Sequence, residues 1–457
     1  MNNIYVRILS IQLEGFKNVN HGKIDMPNFV SGDYAEESSD ILGIYGQNGS
    51  GKTAIIDSLA FLKDMLIGKS IPEDAVNYIN KNNEVSTLKF NFYLKNKQSE
   101  FLLGYEFSII KKDDERAEIK SEKIKFSKLE NGKKLPESTL IKYDSQSKGT
   151  IFTPKYRYEQ LSKVNKENEI KINVAKVVSV KEQKSFVFSE EFRELWMNNQ
   201  DDDMTTILSS LRLFAIANLF VIKNGHNGIT TLNFKFKHED EDGILSVGNM
   251  ILSLNEPNVF ETNKFNIFKK MIQEVNVVIG ALIPGLSIII KEYGLQLTRY
   301  GEEGVRFELL SKRDEKVIPL IYESEGIKKI ISILNLLIAI YNNPSVLVAV
   351  DELDAGIYEY LLGELLGVIE ETGKGQFIFT SHNLRPLEMI NKSSLIFTTT
   401  NPENRYIRLT NVKNNNNLRD LYLRSINLGG QKESIYEPTK THEIRRTFRR
   451  AGRLLNE

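Results

Sequence analysis

The chain has 457 residues, of which 41% are hydrophobic and 26% charged, as expected for a globular protein with room for two or three domains. Its 60 Lys and Arg residues balance 60 Asp and Glu residues, so no global field steers it to nucleic acid, and the absence of cysteine excludes disulfides and thiolate metal sites. No signal-peptide pattern opens the chain, and no apolar run approaches the ~20 residues that span a bilayer. We therefore expect a cytoplasmic protein without a membrane partner.

A glycine-rich segment near the N-terminus matches the phosphate-binding pattern G-x-x-x-x-G-K-[S/T]. Its residues are Gly46, Gln47, Asn48, Gly49, Ser50, Gly51, Lys52 and Thr53. The apolar run 41–45 before it predicts a buried strand, and residues 54–62 after it have apolar side chains at helical spacing. Such a strand, loop and helix place backbone N–H groups and a helix N-terminus around a polyphosphate. We expect Lys52 to reach the β- and γ-phosphates of a nucleotide, and the Thr53 hydroxyl to ligate Mg²⁺.

The next part of the chain shows strand patterns and many charges. Residues 86–94 and 101–110 alternate between apolar and polar side chains, which predicts an antiparallel hairpin. Residues 111–184 carry 19 Lys and Arg against 12 Asp and Glu, interleaved with aromatic side chains. This segment is either a nucleic-acid surface or, as lysine-rich stretches more often are, a solvated β-rich face. No heptad pattern persists for three repeats, so we expect no long coiled coil.

Helical patterns and acidic runs follow. Three aspartates at 201–203 start a predicted helix that extends to residue 222, and helix capping explains them better than a metal site. The acidic run 239–243 favours a loop over a metal cluster. A further helix is predicted over residues 264–282, and three or four strands are predicted over residues 286–320.

The segment Glu323-Ser324-Glu325-Gly326 introduces an apolar helix over residues 327–341. Ser324 fits the N-cap position, and the helix N-terminus beyond it would attract an anion. Capping alone also explains the serine, so these residues leave a functional and a purely structural role open.

An acidic pair follows a second buried-strand pattern. The apolar run 345–350 ends in Asp351 and Glu352, which alone could be an acidic turn. With the phosphate loop upstream, we interpret Asp351 as a residue that supports Mg²⁺ together with Thr53. Glu352 is then placed to orient or deprotonate the attacking water.

One of the five histidines stands at the end of a third strand pattern. The apolar run 376–380 is followed by Ser381-His382-Asn383. Ligands of open α/β sheets bind at the C-terminal ends of the strands, so we interpret His382 as a γ-phosphate sensor. A loop histidine without a role is the alternative.

Arginines are concentrated at the C-terminus. Helical spacing places Arg446, Arg449, Arg450 and Arg453 on one face. This face either binds phosphates or an acidic partner, or belongs to a terminal helix that faces solvent.

Taken together, these motifs resemble the ABC-class ATPases of the SMC, RecF and OLD branch. Residues 8–18 look like that branch's first strand and turn, and Ser324-Glu325-Gly326 stands where the branch has its signature motif. Asp351-Glu352-Leu353-Asp354 looks like a Walker B motif that runs into a D-loop, and His382 looks like the switch histidine. The LSGGQ signature of transporter ATPases is absent, which argues against a transport subunit.

Within this branch, the chain looks like the compact AAA-type ATP-binding proteins of prokaryotic abortive-infection and anti-phage modules. Their S-[DE]-G-[ST]-[KR]-[KR] pattern is present from Ser324 to Lys329, with Ile327 in place of the hydroxyl residue. A Q-loop glutamine is expected in such proteins, and Gln98 and Gln183 are both candidates.

The resemblance implies an α/β fold, with a P-loop NTPase core of the ABC-ATPase type assembled from both chain ends. It divides the chain into an N-terminal ATPase lobe (1–110), an inserted mixed α/β region (111–284), a C-terminal ATPase lobe (285–425) and a basic tail (426–457).

The resemblance also implies ATP and Mg²⁺ as cofactors and ATP hydrolysis as the reaction. Two protomers would sandwich two ATP molecules, as a homodimer or within a higher homo-oligomer. Ser324 and Gly326 of one protomer would then cap the γ-phosphate held by Lys52 of the other, and Asp354 would belong to the nucleotide site.

Two further functional classes stand beside the first. The resemblance favours an ATP-driven switch that controls a separately encoded effector, either a nuclease or a toxin. The alternative is a DNA-binding ATPase of repair or chromosome maintenance, so nucleic acid stays an open partner. A self-contained nuclease is disfavoured, because the chain has neither the R-x-x-x-x-H pattern nor a cysteine for an HNH-type zinc site.

Overall fold

The computed structural model describes residues 4–147, 149–163, 166–197, 202–223, 231–239, 245–410 and 417–454. The strands in these residues are β1 (Tyr5–Phe16), β2 (Val19–Asp25), β3 (Asp40–Tyr45), β4 (Val85–Lys95), β5 (Glu100–Lys111), β6 (Ala117–Glu130), β7 (Lys133–Lys134), β8 (Ser138–Asp144), β9 (Phe152–Thr153), β10 (Leu219–Ile222), β11 (Thr231–Glu239), β12 (Leu245–Ser253), β13 (Asn258–Glu261), β14 (Leu286–Leu297), β15 (Glu303–Arg313), β16 (Lys316–Pro319), β17 (Leu347–Val350), β18 (Gln376–Thr380), β19 (Leu395–Thr398) and β20 (Tyr406–Ile407). The helices are α1 (Pro27–Ser31), α2 (Lys52–Ile67), α3 (Lys155–Ser162), α4 (Lys166–Glu182), α5 (Glu190–Met197), α6 (Asp202–Ala217), α7 (Thr262–Leu282), α8 (Glu325–Asn342), α9 (Glu359–Thr372), α10 (Pro386–Met389), α11 (Leu418–Leu428) and α12 (Thr441–Leu454).

A six-stranded sheet in the order β10-β17-β18-β3-β19-β20 lies at the centre of the protein. All neighbouring strands are parallel except β20, which runs antiparallel to β19. Successive side chains of a strand point to opposite faces of the sheet. Leu42 and Ile44 of β3 therefore pack in one hydrophobic core with α2, whereas Ile41 and Tyr45 pack in a second core with α8 and α9. Burial on both faces explains why these strands are continuously apolar in sequence, and it confirms the predicted α/β fold.

An antiparallel sheet is formed by strands from the N-terminal part of the chain. Its strands follow the order β2-β1-β4-β5-β6-β8-β9, and β7 pairs with β6. The predicted hairpin is confirmed, because β4 and β5 pair over their full length. Strand β6 continues this sheet beyond residue 110, and the Lys-rich segment 111–184 contains helices α3 and α4 as well as strands.

The prediction of one helix from 201 to 222 is wrong at its C-terminal end. Helix α6 ends at Ala217, and Leu219–Ile222 forms strand β10, which pairs in parallel with β17 in the central sheet. Apolar periodicity does not separate a short buried strand from the end of a helix. Pairing with β17 decides between these two outcomes. As a result, β10, which belongs to the predicted insertion 111–284, lies inside the central sheet.

The remaining predicted elements are present. Helix α7 covers residues 262–282, helix α8 covers residues 325–342, and three strands, β14 to β16, lie between them. The interpretations of Asp201 and of residues 240–243 concern residues outside the described ranges. Within the described part of the chain, no helix is both long and apolar enough to cross a membrane.

Candidate functional site

Three loops converge at one edge of the central sheet. Strands β17, β18 and β3 are parallel neighbours, so their C-terminal ends meet at this edge. The glycine-rich loop follows β3, Asp351 follows β17, and Ser381 follows β18. A cavity of about 690 Å³ opens there, and it is lined by Lys17, Asn18, Asn48, Gly49, Gly51, Lys52, Thr53, Ala54, Asn77, Ile79, Asn80, Lys81, Asp351, Glu352 and His382.

Lys52 is held close to the loop that precedes it. Its Nζ donates hydrogen bonds to the carbonyl oxygens of Gly46 and Gln47, at 2.8 and 3.1 Å. Burial lowers the pKa of Lys52, while the negative charges of Asp351 and Glu352 oppose this shift. A buried ammonium group beside a helix N-terminus favours the binding of an anion.

The loop itself leaves room only for glycine at its start. A Cβ atom on Gly46 would lie 1.7 Å from Thr398 Oγ1, and the residue has a φ of +153°. Ser50 fixes the loop to the end of β19, because its hydroxyl forms a hydrogen bond with the Thr398 hydroxyl. Helix α2 begins after Gly51 without a side-chain cap, so its first N–H groups are open to a ligand.

Gln47 takes a different role from its neighbours in the loop. Its Oε1 accepts a hydrogen bond of 2.9 Å from the backbone N–H of Glu437, in the segment that follows helix α11. The C-terminal tail is thereby bonded to the glycine-rich loop, a contact that the sequence did not predict.

Thr53 and Asp351 meet although 298 positions separate them. Thr53 Oγ1 lies 3.4 Å from Asp351 Oδ1. A third residue organises this pair: Thr380 Oγ1 donates to the same Oδ1 at 2.6 Å and accepts from the backbone N–H of Glu352 at 2.7 Å. Sequence reasoning missed Thr380, although its position at the end of a strand beside Ser381 and His382 was a usable signal.

Glu352 lies in the left-handed region, with a φ of +48°. This conformation is uncommon for a residue other than glycine, and it turns the backbone sharply after β17. The Glu352 carbonyl oxygen accepts a hydrogen bond from Lys329 Nζ on helix α8. Burial lowers the pKa of Lys329, and the nearby acidic groups of Asp354, Glu352 and Asp351 oppose the shift.

His382 and Asp354 are joined at the rim of the cavity. The backbone N–H of His382 donates to Asp354 Oδ2 at 3.2 Å, and the His382 side chain is exposed and lines the cavity. The other Asp354 oxygen, Oδ1, is buried and has no hydrogen-bond partner among the described residues.

Ser324 and Gly326 lie away from this cavity in their own chain. Ser324 caps helix α8, since its Oγ accepts from the backbone N–H of Ile327 at 3.3 Å, and it remains exposed. A Cβ atom on Gly326 would lie 1.8 Å from the Gly356 carbonyl oxygen, so this glycine is required for close packing against the loop after Asp354. Neither residue is among those that line the cavity.

Several cavity residues come from segments that connect the elements of the N-terminal half. Lys17 and Asn18 belong to the turn between β1 and β2, while Asn77, Asn80 and Lys81 follow helix α2. The opening strand and turn resembled the first strand of the ATPase branch, which was a signal for the first two. Nothing in the sequence pointed to the other three.

Neither candidate for a Q-loop glutamine lines the cavity. Gln98 lies in the turn between β4 and β5, and Gln183 Oε1 accepts from the backbone N–H of Ile119.

Several solved structures are similar to this chain. An SMC head domain from Thermotoga maritima has 14% sequence identity and a TM-score of 0.38, and the match covers 88% of this chain and 99% of that one. The Smc head domain with an extended coiled coil bound to the C-terminal domain of ScpA, derived from Pyrococcus furiosus, has 14% identity and a TM-score of 0.40, covering 88% and 96%. The recombination mediator protein RecF with ATP has 13% identity and a TM-score of 0.34, covering 83% and 94%. A comparison with curated proteins finds no match.

One family model covers both halves of the site. It matches residues 41–388, well over half of the chain, and the family is described as an AAA domain, putative AbiEii toxin, Type IV TA system. The matched range contains the glycine-rich loop with Lys52, the acidic pair after β17 and His382. With its glycine-rich loop after β3 and its acidic pair after β17, two parallel strands of one sheet, the chain belongs to this family of AAA-domain P-loop ATPases.

Proposed function

We propose that this protein is an ATP-binding and ATP-hydrolysing switch of the cytoplasm. Two copies close around ATP, and the closed state controls a separately encoded effector in an anti-phage or abortive-infection module. The observation that carries the proposal is the 3.4 Å approach of Thr53 Oγ1 to Asp351 Oδ1, within the cavity that also holds Lys52. The toxin–antitoxin description of the family supports the biological setting.

The phosphate site draws on the whole glycine-rich loop. Backbone N–H groups from Gly46 to Thr53 and the open N-terminus of α2 receive the β- and γ-phosphates, and the Lys52 ammonium neutralises part of their charge. Its present bonds to the carbonyl oxygens of Gly46 and Gln47 keep the lysine directed along the loop. Asn48, Gly49 and Gly51 line the cavity with little side-chain bulk, which leaves space for the ligand.

The donors at the end of β17 fit a magnesium ion. Mg²⁺ binds through one or two protein oxygens together with phosphate oxygens, and a hydroxyl and a carboxylate oxygen are such donors. Thr53 and Asp351 would hold the ion, while Thr380 fixes the orientation of the Asp351 carboxylate. When bound, the ion supplies positive charge that offsets the charge of the phosphates.

Hydrolysis depends on Glu352 and His382. Both side chains line the cavity from the ends of neighbouring strands. Glu352 accepts a proton from the attacking water, and His382 contacts the γ-phosphate from the rim. Lys329 bonds the Glu352 carbonyl oxygen and Thr380 bonds the Glu352 N–H, so the backbone from which this carboxylate projects is fixed. The Asp354 carboxylate positions the loop that carries His382.

Pairing of two copies completes the site. Ser324 is exposed at the N-terminus of α8 and does not line the cavity of its own chain. Tyr322 and Tyr358, on either side of the contact between Gly326 and Gly356, are 76% and 68% exposed. An exposed capping serine flanked by exposed aromatic rings is suited to a γ-phosphate held by a second copy. ATP then favours the closed pair through its higher affinity for that state, and hydrolysis removes the bond.

The decisive experiment compares wild type with Glu352→Gln and Lys52→Ala. We expect wild type to hydrolyse ATP, Glu352→Gln to form a stable pair in ATP without turnover, and Lys52→Ala to do neither. Solution mass with and without ATP, and phosphate release, are the two measurements. Copurification with the product of a neighbouring gene tests whether a separately encoded effector binds this protein.

One result would move the assignment to the alternative class. Strong stimulation of hydrolysis by DNA, with a steep dependence on salt, would indicate a DNA-binding ATPase of repair or chromosome maintenance. Absence of nucleotide binding in wild type would remove the proposal altogether.

A further inference from the structure

Helix α12 is amphipathic, and its residues with a described burial are not buried against the rest of the described chain. Ile444 and Phe448 lie one turn apart on one face and are 42% and 75% exposed. Arg446 and Arg450 lie on the opposite side of the helix, and Arg445 and Arg449 lie between that side and the apolar face. Every residue of α12 whose burial is described is exposed. A lone helix of 14 residues is marginal in water, so its apolar face needs a partner.

An open apolar groove lies between the C-terminal halves of α7, α8 and α9. Its cavity has a volume of about 410 Å³, and residues of all three helices line it. Leu337 and Leu365 form part of the floor, and the exposed Tyr341 and Val368 form part of the rim. Of the residues that line it, Glu364 alone is charged. Such a groove accepts the apolar face of an amphipathic helix.

The charges of the groove and of α12 are complementary. Glu364 and Glu371 stand one helical turn on either side of Val368, and both are exposed. Among the described residues neither carboxylate has an ion-pair partner, and neither Arg445 nor Arg449 has one. Carboxylates beside an apolar rim therefore match a helix with arginines beside an apolar face.

The position of the tail separates α12 from the groove of its own chain. The backbone of Glu437 is bonded to Gln47, at the edge of the central sheet where the strands end. The groove lies at the opposite edge, because the Ile340 carbonyl at the C-terminal end of α8 accepts from the N–H of Gly375, just before β18 starts. In this structure α12 does not occupy the groove of its own chain, because Ile444 and Phe448 are exposed, and so are Tyr341 and Val368 at the rim of the groove.

We propose that helix α12 of one copy docks in the α7–α8–α9 groove of a second copy. Phe448 and Ile444 enter the cavity, while the arginines beside them pair with Glu364 and Glu371. This contact is separate from the proposed ATP-bridged pairing, since it uses the opposite edge of the sheet. The C-terminal tail of one copy, which is bonded to the glycine-rich loop of that copy, would thus also contact the α7–α8–α9 groove of the second copy.

The absence of native cysteine allows a direct test by disulfide trapping. Full-length Phe448→Cys protein is mixed with full-length Val368→Cys protein under mild oxidation. We expect a covalent dimer of twice the 52.3 kDa chain mass, in at least about fivefold higher yield than a control mixture of Phe448→Cys with Val30→Cys. Val30 is a suitable control, because it is 60% exposed and is not among the residues that line the groove.

Charge reversal tests the recognition. We expect the dimer yield to fall when the Val368→Cys protein also carries Glu364→Arg and Glu371→Arg. The yield should recover when its partner, the Phe448→Cys protein, carries the opposite changes Arg445→Glu and Arg449→Glu. The same trapping in a Lys52→Ala background should be unchanged, which distinguishes this contact from the ATP-bridged pair.

Three results would overturn the inference. The first is equal trapping with the Val30 control. The second is an intramolecular bond within a chain that carries both Phe448→Cys and Val368→Cys, since that outcome places α12 in its own groove. The third is no trapping between the two proteins when they are free of nucleic acid, together with protection of α12 by duplex DNA, which assigns the helix to nucleic acid instead.

Discussion

The Thr380 hydroxyl donates a 2.6 Å hydrogen bond to Asp351 Oδ1, and so ties the end of β18 to the end of β17. The Thr380 Oγ1 atom also accepts a hydrogen bond of 2.7 Å from the backbone N–H of Glu352. One hydroxyl therefore sets the position of both acidic residues of the site. Because hydrogen bonds to charged groups contribute about 1.5–3 kcal/mol, its loss should be measurable.

Thr380→Val removes this hydroxyl and keeps the shape of the side chain. We expect ATP turnover to fall by roughly 10- to 100-fold while ATP binding is largely retained, because the acidic pair loses its orientation but Lys52 is untouched. Phosphate release and nucleotide titration separate the two effects. Thr372→Val at the C-terminal end of α9, outside the cavity, is the control, and a Thr380→Val enzyme with normal turnover would show that Thr380 has no positioning role.

Lys52→Ala should abolish ATP binding. The substitution removes the buried cation from the glycine-rich loop, and hydrogen bonds between charged groups are about twice as strong as neutral ones. Isothermal titration with ATP measures the loss, and Lys374→Ala, at the opposite edge of the sheet, should bind as wild type does. Unchanged affinity in Lys52→Ala would remove the loop from the nucleotide site.

Glu352→Gln should bind ATP, hydrolyse it at least about 100-fold more slowly, and accumulate as a pair. The amide keeps the size of the side chain but cannot accept the proton of the attacking water. Phosphate release and light scattering in ATP are the measurements, with the exposed Glu167→Gln as the control. Turnover near wild type in Glu352→Gln would assign the proton transfer to another residue.

Ser324→Arg should prevent pairing in ATP and leave ATP binding by the single chain intact. Ser324→Asp is the more discriminating variant, because aspartate is as good an N-cap as serine but repels a phosphate. We expect Ser324→Asp to keep the thermal stability of wild type and to lose the ATP-induced pair. If Ser324→Asp still pairs in ATP, Ser324 serves only as the cap of α8.

Lys63→Met should stabilise the protein at pH 7 and change how its stability depends on pH. Lys63 Nζ donates to the Leu219 carbonyl at 2.6 Å, and burial lowers the pKa of Lys63 to about 8. Below pH 8 the folded chain holds a buried charge at a cost of up to about 3 kcal/mol. Between pH 8 and the ordinary lysine pKa of about 10.4, the unfolded chain binds more protons than the folded one, so wild-type stability rises relative to Lys63→Met.

The free energy of unfolding in urea, measured for both proteins between pH 7 and 10, tests this prediction. We expect the gap between them to close as the pH rises. A constant gap would mean that Lys63 keeps its ordinary pKa in the folded protein.

Local pattern was sufficient for most elements of this fold. The strand Asp40–Tyr45, the helix from Lys52 and the strand Gln376–Thr380 follow from apolar spacing and from glycine and polar residues at their ends. Strand β10 did not follow, because the run 219–222 continues an apolar helix pattern and becomes a strand only beside β17. The sequence signal was the same for both outcomes, and the long-range partner decided between them.

The sequence by itself determined the chemical groups of the site. The glycine-rich loop with Lys52, the acidic pair after one strand and the histidine after another are recognisable because each depends on residues adjacent along the chain. The approach of Thr53 to Asp351 was expected from the two motifs, whereas only the tertiary structure decided that Thr380 bonds to both acidic residues and that Gln47 bonds to the tail at Glu437. These contacts depend on strand order, and strand order is set by packing between segments that are hundreds of residues apart.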